Sequence, residues 1–201
     1  MSHVAELLAK LSPGAANLCG IGGVYGKITQ ADLAMALGCL SGKSHPDYGL
    51  NAGRAAADLL IINYQGDQGV LKPLERNLLH IVINLALREH WPSSPSHLLG
   101  NLIRLALEEF LDTGRCQTCK GNNLDELGSS RVQDARAKWV ICPKCNGVGK
   151  QSLSDKSRST YVQMDDMAWR RWRPRQAQIF TLLTELDSWG LDRMHYILGG
   201  A

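Results

Sequence analysis

Cys116-Gln117-Thr118-Cys119-Lys120-Gly121 and Cys142-Pro143-Lys144-Cys145-Asn146-Gly147-Val148-Gly149 decide how this chain is read. Each holds a C-x2-C pair, and 22 residues lie between the pairs. Four thiols in two such pairs match a tetrahedral zinc site, because one tight turn can offer two sulfurs. Gly121, Gly147 and Gly149 suit turns that aim backbone N–H groups at thiolate sulfur and require positive φ. The run Ala137-Lys138-Trp139-Val140-Ile141 is rich in strand formers and leads into the second pair, so a zinc ribbon or two-knuckle module with a short hairpin is expected. Cys116, Cys119, Cys142 and Cys145 are the expected ligands of one Zn2+. Four cysteines fill the tetrahedron and leave no place for water, which makes the expected metal structural. Thiolates must form to bind it, so acid or a chelator should unfold the module. A redox C-x-x-C belongs at a helix N-terminus in a βαβ setting, which neither pair has. Disulfides belong to secreted chains, and no secretory feature is evident.

Outward from the cysteines, charge is the next signal. The 201 residues carry a net charge of only +3, unevenly spread. Residues 1–113 hold 8 Lys/Arg against 10 Asp/Glu, and residues 176–201 hold 1 against 3. Residues 114–175 hold 13 against 6, a net of +7. A basic block coinciding with a structural zinc module is a usual footprint of nucleic-acid binding; the plainer reading is a solvated basic surface. At 44% hydrophobic and 20% charged residues the composition is that of a globular protein. Glu89 and His90 end the longest apolar run short of a membrane span, so a soluble, cytoplasmic chain is expected. Cys19 and Cys39 are expected to be reduced, either packed or partly exposed.

Helical periodicity dominates the first half. Residues 1–28 are expected to be a flexible lead-in; Gly20-Ile21-Gly22-Gly23 lacks the Gly-Lys-Ser/Thr of a phosphate loop. Thr29 to Asp32 resembles a capping box opening a helix that buries Leu33, Ala36, Leu37 and Leu40. Ser44-His45-Pro46-Asp47 reads as a turn, and residues 50–64 as a second helix. Pro73 suits the first turn of a third helix, which is broadly apolar and should lie in the core with His80 at its boundary. Trp91-Pro92 should end it. Ser94-Pro95 should start a fourth helix running to Asp112. These elements make a helical bundle over residues 29–113, followed by the zinc module over 114–150.

In residues 151–201, Ser154 or Asp155 should cap a short helix ending near Met164, with Asp165-Asp166 opening the next. Pro174 is expected to break that helix or restart it, and Trp189-Gly190 to end the segment after it. Two short helices about a turn, rich in Arg and Ser/Thr, are compatible with a helix-turn-helix. The fold class expected is therefore mainly α, a helical bundle with an inserted four-cysteine zinc-ribbon or knuckle module and a helix-turn-helix-like C-terminal part packing on the bundle.

The order of these elements, the C-x2-C-x-G of 116–121, the C-x2-C-x-G-x-G of 142–149 and the Trp169-Arg170-Arg171-Trp172-Arg173-Pro174-Arg175 stretch resemble the late-gene antitermination proteins, the Q family, of lambdoid phages. The likeness runs over about residues 28–190, and Asn123 stands where the family's second glycine would follow the first pair. It implies a transcription factor that binds duplex DNA within a phage late promoter and engages bacterial RNA polymerase holoenzyme paused there with its primary sigma factor. It then travels with the enzyme, narrows the path of the nascent RNA and carries transcription through terminators. Arg158, Arg170, Arg171, Arg173 and Arg175 are the candidates for reading bases, and Lys144, Lys150 and Lys156 for phosphates. The acidic, apolar first half then has the character of a polymerase-facing part.

Three other readings compete. A zinc-stabilised DNA-binding regulator without antitermination activity uses the same residues. Glycine-flanked C-x2-C-x-G pairs also occur in J-domain chaperones, but there in four copies, and His45-Pro46-Asp47 has no J-domain helix pair around it. For an enzyme no catalytic residues are expected, since no carboxylate cluster, Ser/His/Asp set or open metal site is legible. Neither a small-molecule substrate nor a membrane is expected as partner.

Overall fold

A computed structural model describes residues 30–93, 96–111, 131–133, 138–143 and 153–198. The described residues are mainly helical, with one small two-stranded sheet. The order is α1 (Gln30–Ser41), α2 (Asn51–Leu60), α3 (Leu71–Arg88), α4 (Ser96–Leu111), β1 (Arg131–Gln133), β2 (Trp139–Ile141), α5 (Asp155–Tyr161) and α6 (Asp166–Ile197). Two compact units contain them, one of residues up to 106 with 173 onward, the other of residues 107–172. The lead-in, the Thr29 cap, the Ser94-Pro95 start and Cys19 lie outside the described residues. Among those described, no helix is long and apolar enough to cross a membrane.

In the first unit, α1 buries Leu33, Ala36 and Leu40 at helical spacing, with Leu37 half-buried. Its exit is held by Lys43 N–H donating to the Leu40 carbonyl (2.9 Å). The predicted turn is present: His45 and Gly49 exchange both backbone hydrogen bonds at 3.0 Å, and Asp47 N–H donates to His45 Nδ1. Gly49 sits at φ +73°, where only glycine is unstrained. Helix α2 is lined with alanines on its buried side and widens into a π turn over Ile61–Gln65, closed by Gly66 at φ +73°. Asp67 then accepts from Gly69 N–H and caps a short 3-10 turn that feeds α3. Leu74, Leu78, Ile81, Val82 and Leu85 form the buried face of α3, and Leu99, Leu102, Ile103, Leu105 and Ala106 that of α4. An Arg104–Glu75 pair links the two helices at 3.1 Å. His80 is exposed rather than at the core boundary, and Cys39 is exposed.

Two sequence expectations fail on α6. Neither Pro174 nor Gly190 interrupts it; one helix of 32 residues runs through both. Proline inside a helix removes one hydrogen bond and costs about 3 kcal/mol. Both Pro174 and Arg170, whose carbonyl loses its partner, are exposed, so water can serve the orphan acceptor. A stripe of Gln176, Ile179, Leu182, Leu183, Leu186, Gly190 and Met194 stays buried beyond the proline, and that burial carries the helix onward. Gly190 is a packing residue. A Cβ there would lie 3.1 Å from Leu60 Cδ1 and 3.4 Å from Ala56 Cβ, so α6 comes closest to α2 where it carries no side chain.

Polar contacts tie α6 to the turn before α2 and to the π turn after it. Tyr48 Oη donates to Glu185, and Asn63 Nδ2 and Tyr64 Oη both donate to Asp187. His45 stacks on Tyr48 and meets Trp189 edge-on. Burial, then the Asp187 carboxylate beside it, pushes the Tyr64 phenol up to about 12. Because the folded value lies above the unfolded one, the folded state holds this proton more tightly. The contribution is complete below about pH 10 and is lost as pH rises to about 12. In urea titrations across that window the stability gap between the wild type and Tyr64→Phe is expected to shrink. A constant gap would mean that Asp187 and Tyr64 do not share a proton-bearing contact.

Candidate nucleic-acid interface

The second unit holds most of the residues predicted to meet nucleic acid. Ser154 is extended and accepts from Ser157 N–H, capping the seven-residue α5 as the sequence indicates. The turn at 162–165 buries Val162 and places Gln163 at φ +59°. Asp165 then caps α6 by accepting from Ala168 N–H at 2.7 Å. That carboxylate, with Asp166 behind it, answers the positive end of the helix dipole, so the N-terminus of α6 is not open to phosphate. Cations come one turn later. Trp169 is buried, while Arg170 and Arg171 beside it are exposed, and Lys156 is exposed on α5. Among the described residues no acceptor lies within reach of the Trp169 indole N–H.

Arg158 is placed differently from the other candidates. Its Nε and Nη2 both lie 2.7 Å from Glu109 Oε1 on α4, and Nη1 lies 3.4 Å from Asp155. The two side chains of the main pair are only 22% and 11% exposed. A guanidinium so engaged positions α5 against the end of α4 and is not presented to a base. Glu109 is 49 residues away, and nothing in the local sequence signals the pair. Arg158→Ala removes the guanidinium from a mostly enclosed carboxylate, and charged hydrogen bonds of this kind are worth about 1.5–3 kcal/mol. A melting temperature lowered by about 5 °C is expected, with partial recovery in Arg158→Lys, which keeps the charge and loses the fork. Thermal denaturation of the three proteins checks it; an unchanged midpoint in the alanine variant would remove the pair from the fold.

Arg173 is exposed and Arg175 half-buried farther along α6, within the first unit. Lys144 and Lys150 lie outside the described residues.

Of the expected zinc ligands only Cys142 is described; Cys116, Cys119 and Cys145 fall outside. Cys142 stands at the end of a small two-stranded sheet. β1 and β2 pair antiparallel, Arg131 with Ile141, Val132 with Val140 and Gln133 with Trp139. Cys142 follows β2 directly and is fully buried, although all three residues of β2 are exposed. Strands of three residues are marginal by themselves. Among the described residues no three His, Cys, Asp or Glu are gathered to hold a metal.

No protein-family model, curated protein or solved structure matches the chain.

Proposed function

We propose that this chain is a phage transcription antitermination factor of the Q type. The observation that carries the DNA-binding part is the α5–turn–α6 arrangement, with Val162 and Trp169 buried and Lys156, Arg170 and Arg171 exposed. The resemblance in the cysteine pairs and the Trp169–Arg175 stretch supplies the antitermination part. Arg170 and Arg171 reach duplex DNA of a late promoter, and Lys156 holds a phosphate. Arg158 keeps α5 in place through Glu109. Cys116, Cys119, Cys142 and Cys145 hold one structural Zn2+, which cross-links a module too small to bury a core of its own. The helical bundle faces bacterial RNA polymerase, which the factor joins at its promoter-proximal pause.

The test is run-off transcription through a terminator with purified bacterial holoenzyme on a template carrying a phage late promoter. Wild-type protein is expected to give read-through, and Arg170→Ala with Arg171→Ala to lose it. In filter binding Lys156→Ala should lower the salt slope by about 1, the loss of one phosphate contact. Duplex binding without read-through on any late promoter would leave a zinc-stabilised DNA-binding regulator and end the antitermination reading.

A further inference from the structure

The turn between α1 and α2 uses a histidine as an acceptor. His45 Nδ1 takes a hydrogen bond from Asp47 N–H at 3.1 Å. A ring nitrogen accepts only when it carries no proton, so this bond belongs to the uncharged ring with its hydrogen on Nε2. Around it the backbones of His45 and Gly49 exchange two hydrogen bonds at 3.0 Å. The same ring reaches α6. It stacks on Tyr48 with centroids 4.8 Å apart and meets Trp189 edge-on at 5.0 Å, and Tyr48 in turn donates to Glu185. The His45 side chain is only 11% exposed. The turn and this part of α6 both lie in the first unit.

Histidine is the side chain whose ordinary charge change falls between about pH 5 and 8. With a proton on Nδ1, two N–H groups point at each other and the bond is lost. A charged ring this enclosed also gives up much of its hydration. The charged groups around the ring act in both directions. Asp47 Oδ2 stands 4.0 Å from Nδ1 and favours the proton, but its side chain is 70% exposed and water screens it. Glu185 on α6 also favours positive charge, and it is engaged by Tyr48. Arg193 stands over the Trp189 ring at 5.9 Å, Arg88 at the end of α3 acts on Tyr48, and Lys43 precedes the turn. These three disfavour a further positive charge.

We propose that His45 is a proton-operated latch. Uncharged, it fastens the α1–α2 turn and seats the part of α6 that carries Trp189; protonated, it gives up the Asp47 bond and releases both. Stability that only the uncharged ring supplies is complete near pH 8 and is lost as pH falls toward about 5. The latch does not rest on the DNA-binding or antitermination reading.

His45→Asn separates the acceptor from the proton. An asparagine carbonyl accepts from the N–H two residues on, as Nδ1 does here, and does not titrate. Thermal melts of the full-length protein compare it with wild type at about pH 8 and about pH 5.5, on either side of the histidine range. The wild type is expected to lose about 2–4 °C more on acidification, the shift that one hydrogen bond gives a chain of this size. Protonation of thiolates and of the partly buried Asp58 and Asp187 is common to both proteins and cancels in the difference. Two measurements on wild type alone do not depend on how the variant folds. Nitrogen NMR of the imidazole should show Nδ1 without a proton at high pH, and the Asp47 amide should shift with the same midpoint as the ring. Hydrogen exchange, corrected for the intrinsic rate at each pH, should show the amides of residues 185–194 losing protection about 5-fold over that range, the opening that loss of one hydrogen bond allows. A proton on Nδ1 at high pH, a ring that titrates without moving the Asp47 amide, an equal loss of midpoint in His45→Asn, or unchanged protection of residues 185–194 would overturn the latch.

Discussion

Gly53→Ala lowers the stability of the chain by about 3 kcal/mol or more, the upper range for overpacking a close contact. A Cβ on Gly53 would stand 2.2 Å from the Lys43 carbonyl oxygen and 2.6 Å from that of Leu40. Both are backbone atoms at the exit of α1, so no rotamer change relieves the clash, and α1 and α2 must separate. At the size of this chain that loss lowers the melting midpoint by about 10 °C. The control is Gly38→Ala on α1, where an added Cβ meets nothing within 4 Å. There the better helix propensity of alanine should raise stability by up to about 1 kcal/mol. Thermal melts followed by circular dichroism compare the two. If Gly53→Ala melts with the wild type, the close approach of α1 and α2 at Gly53 is wrong.

Cys142→Ser is expected to release the zinc that the four cysteines are proposed to hold and to open the module around the hairpin. Structural zinc contributes apparent free energies of about 10–16 kcal/mol in small zinc modules. A quartet reduced to three thiolates forfeits a large part of that, and a pair of three-residue strands is marginal by itself. Metal analysis should fall from one zinc per chain to near none, and brief proteolysis should cut the segment between α4 and α5. The helical signal should persist, because the cores of α1–α4 and α6 contain no cysteine ligand. Lowering pH should mimic the substitution, since protonated thiols release the metal. Full zinc retention by Cys142→Ser would take Cys142 out of the ligand set.

Several parts of this architecture were legible because their causes are local. The burial stripe of α1, the Ser154 and Asp165 caps, Pro73 in a first turn and the turn at His45 each depend on residues within a few positions of one another. The strand over Trp139–Ile141 was legible for the same reason, while its partner Arg131–Gln133 carries no apolar alternation long enough to announce itself. The proposed metal quartet is legible only as spacing, since a C-x2-C pair is a local device.

What the sequence by itself determined is where α2, α5 and α6 begin, which side of each helix is apolar and where positive charge gathers. What only the tertiary structure decided is where α6 stops, which arginine is committed to a carboxylate and which glycines are contacts. Pro174 and Gly190 carry local penalties of about 3 and 1 kcal/mol that read as helix ends. They are overridden by burial of Ile179, Leu183, Leu186 and Met194 within the first unit and by a crossing with Leu60 and Ala56 that accepts only a small residue. Arg158 meets Glu109 across 49 residues, and Tyr64 meets Asp187 across 123. Such pairs leave no periodic trace in the chain, because the partners meet only once the helices have packed, and the bond they then form offsets the cost of taking both out of water.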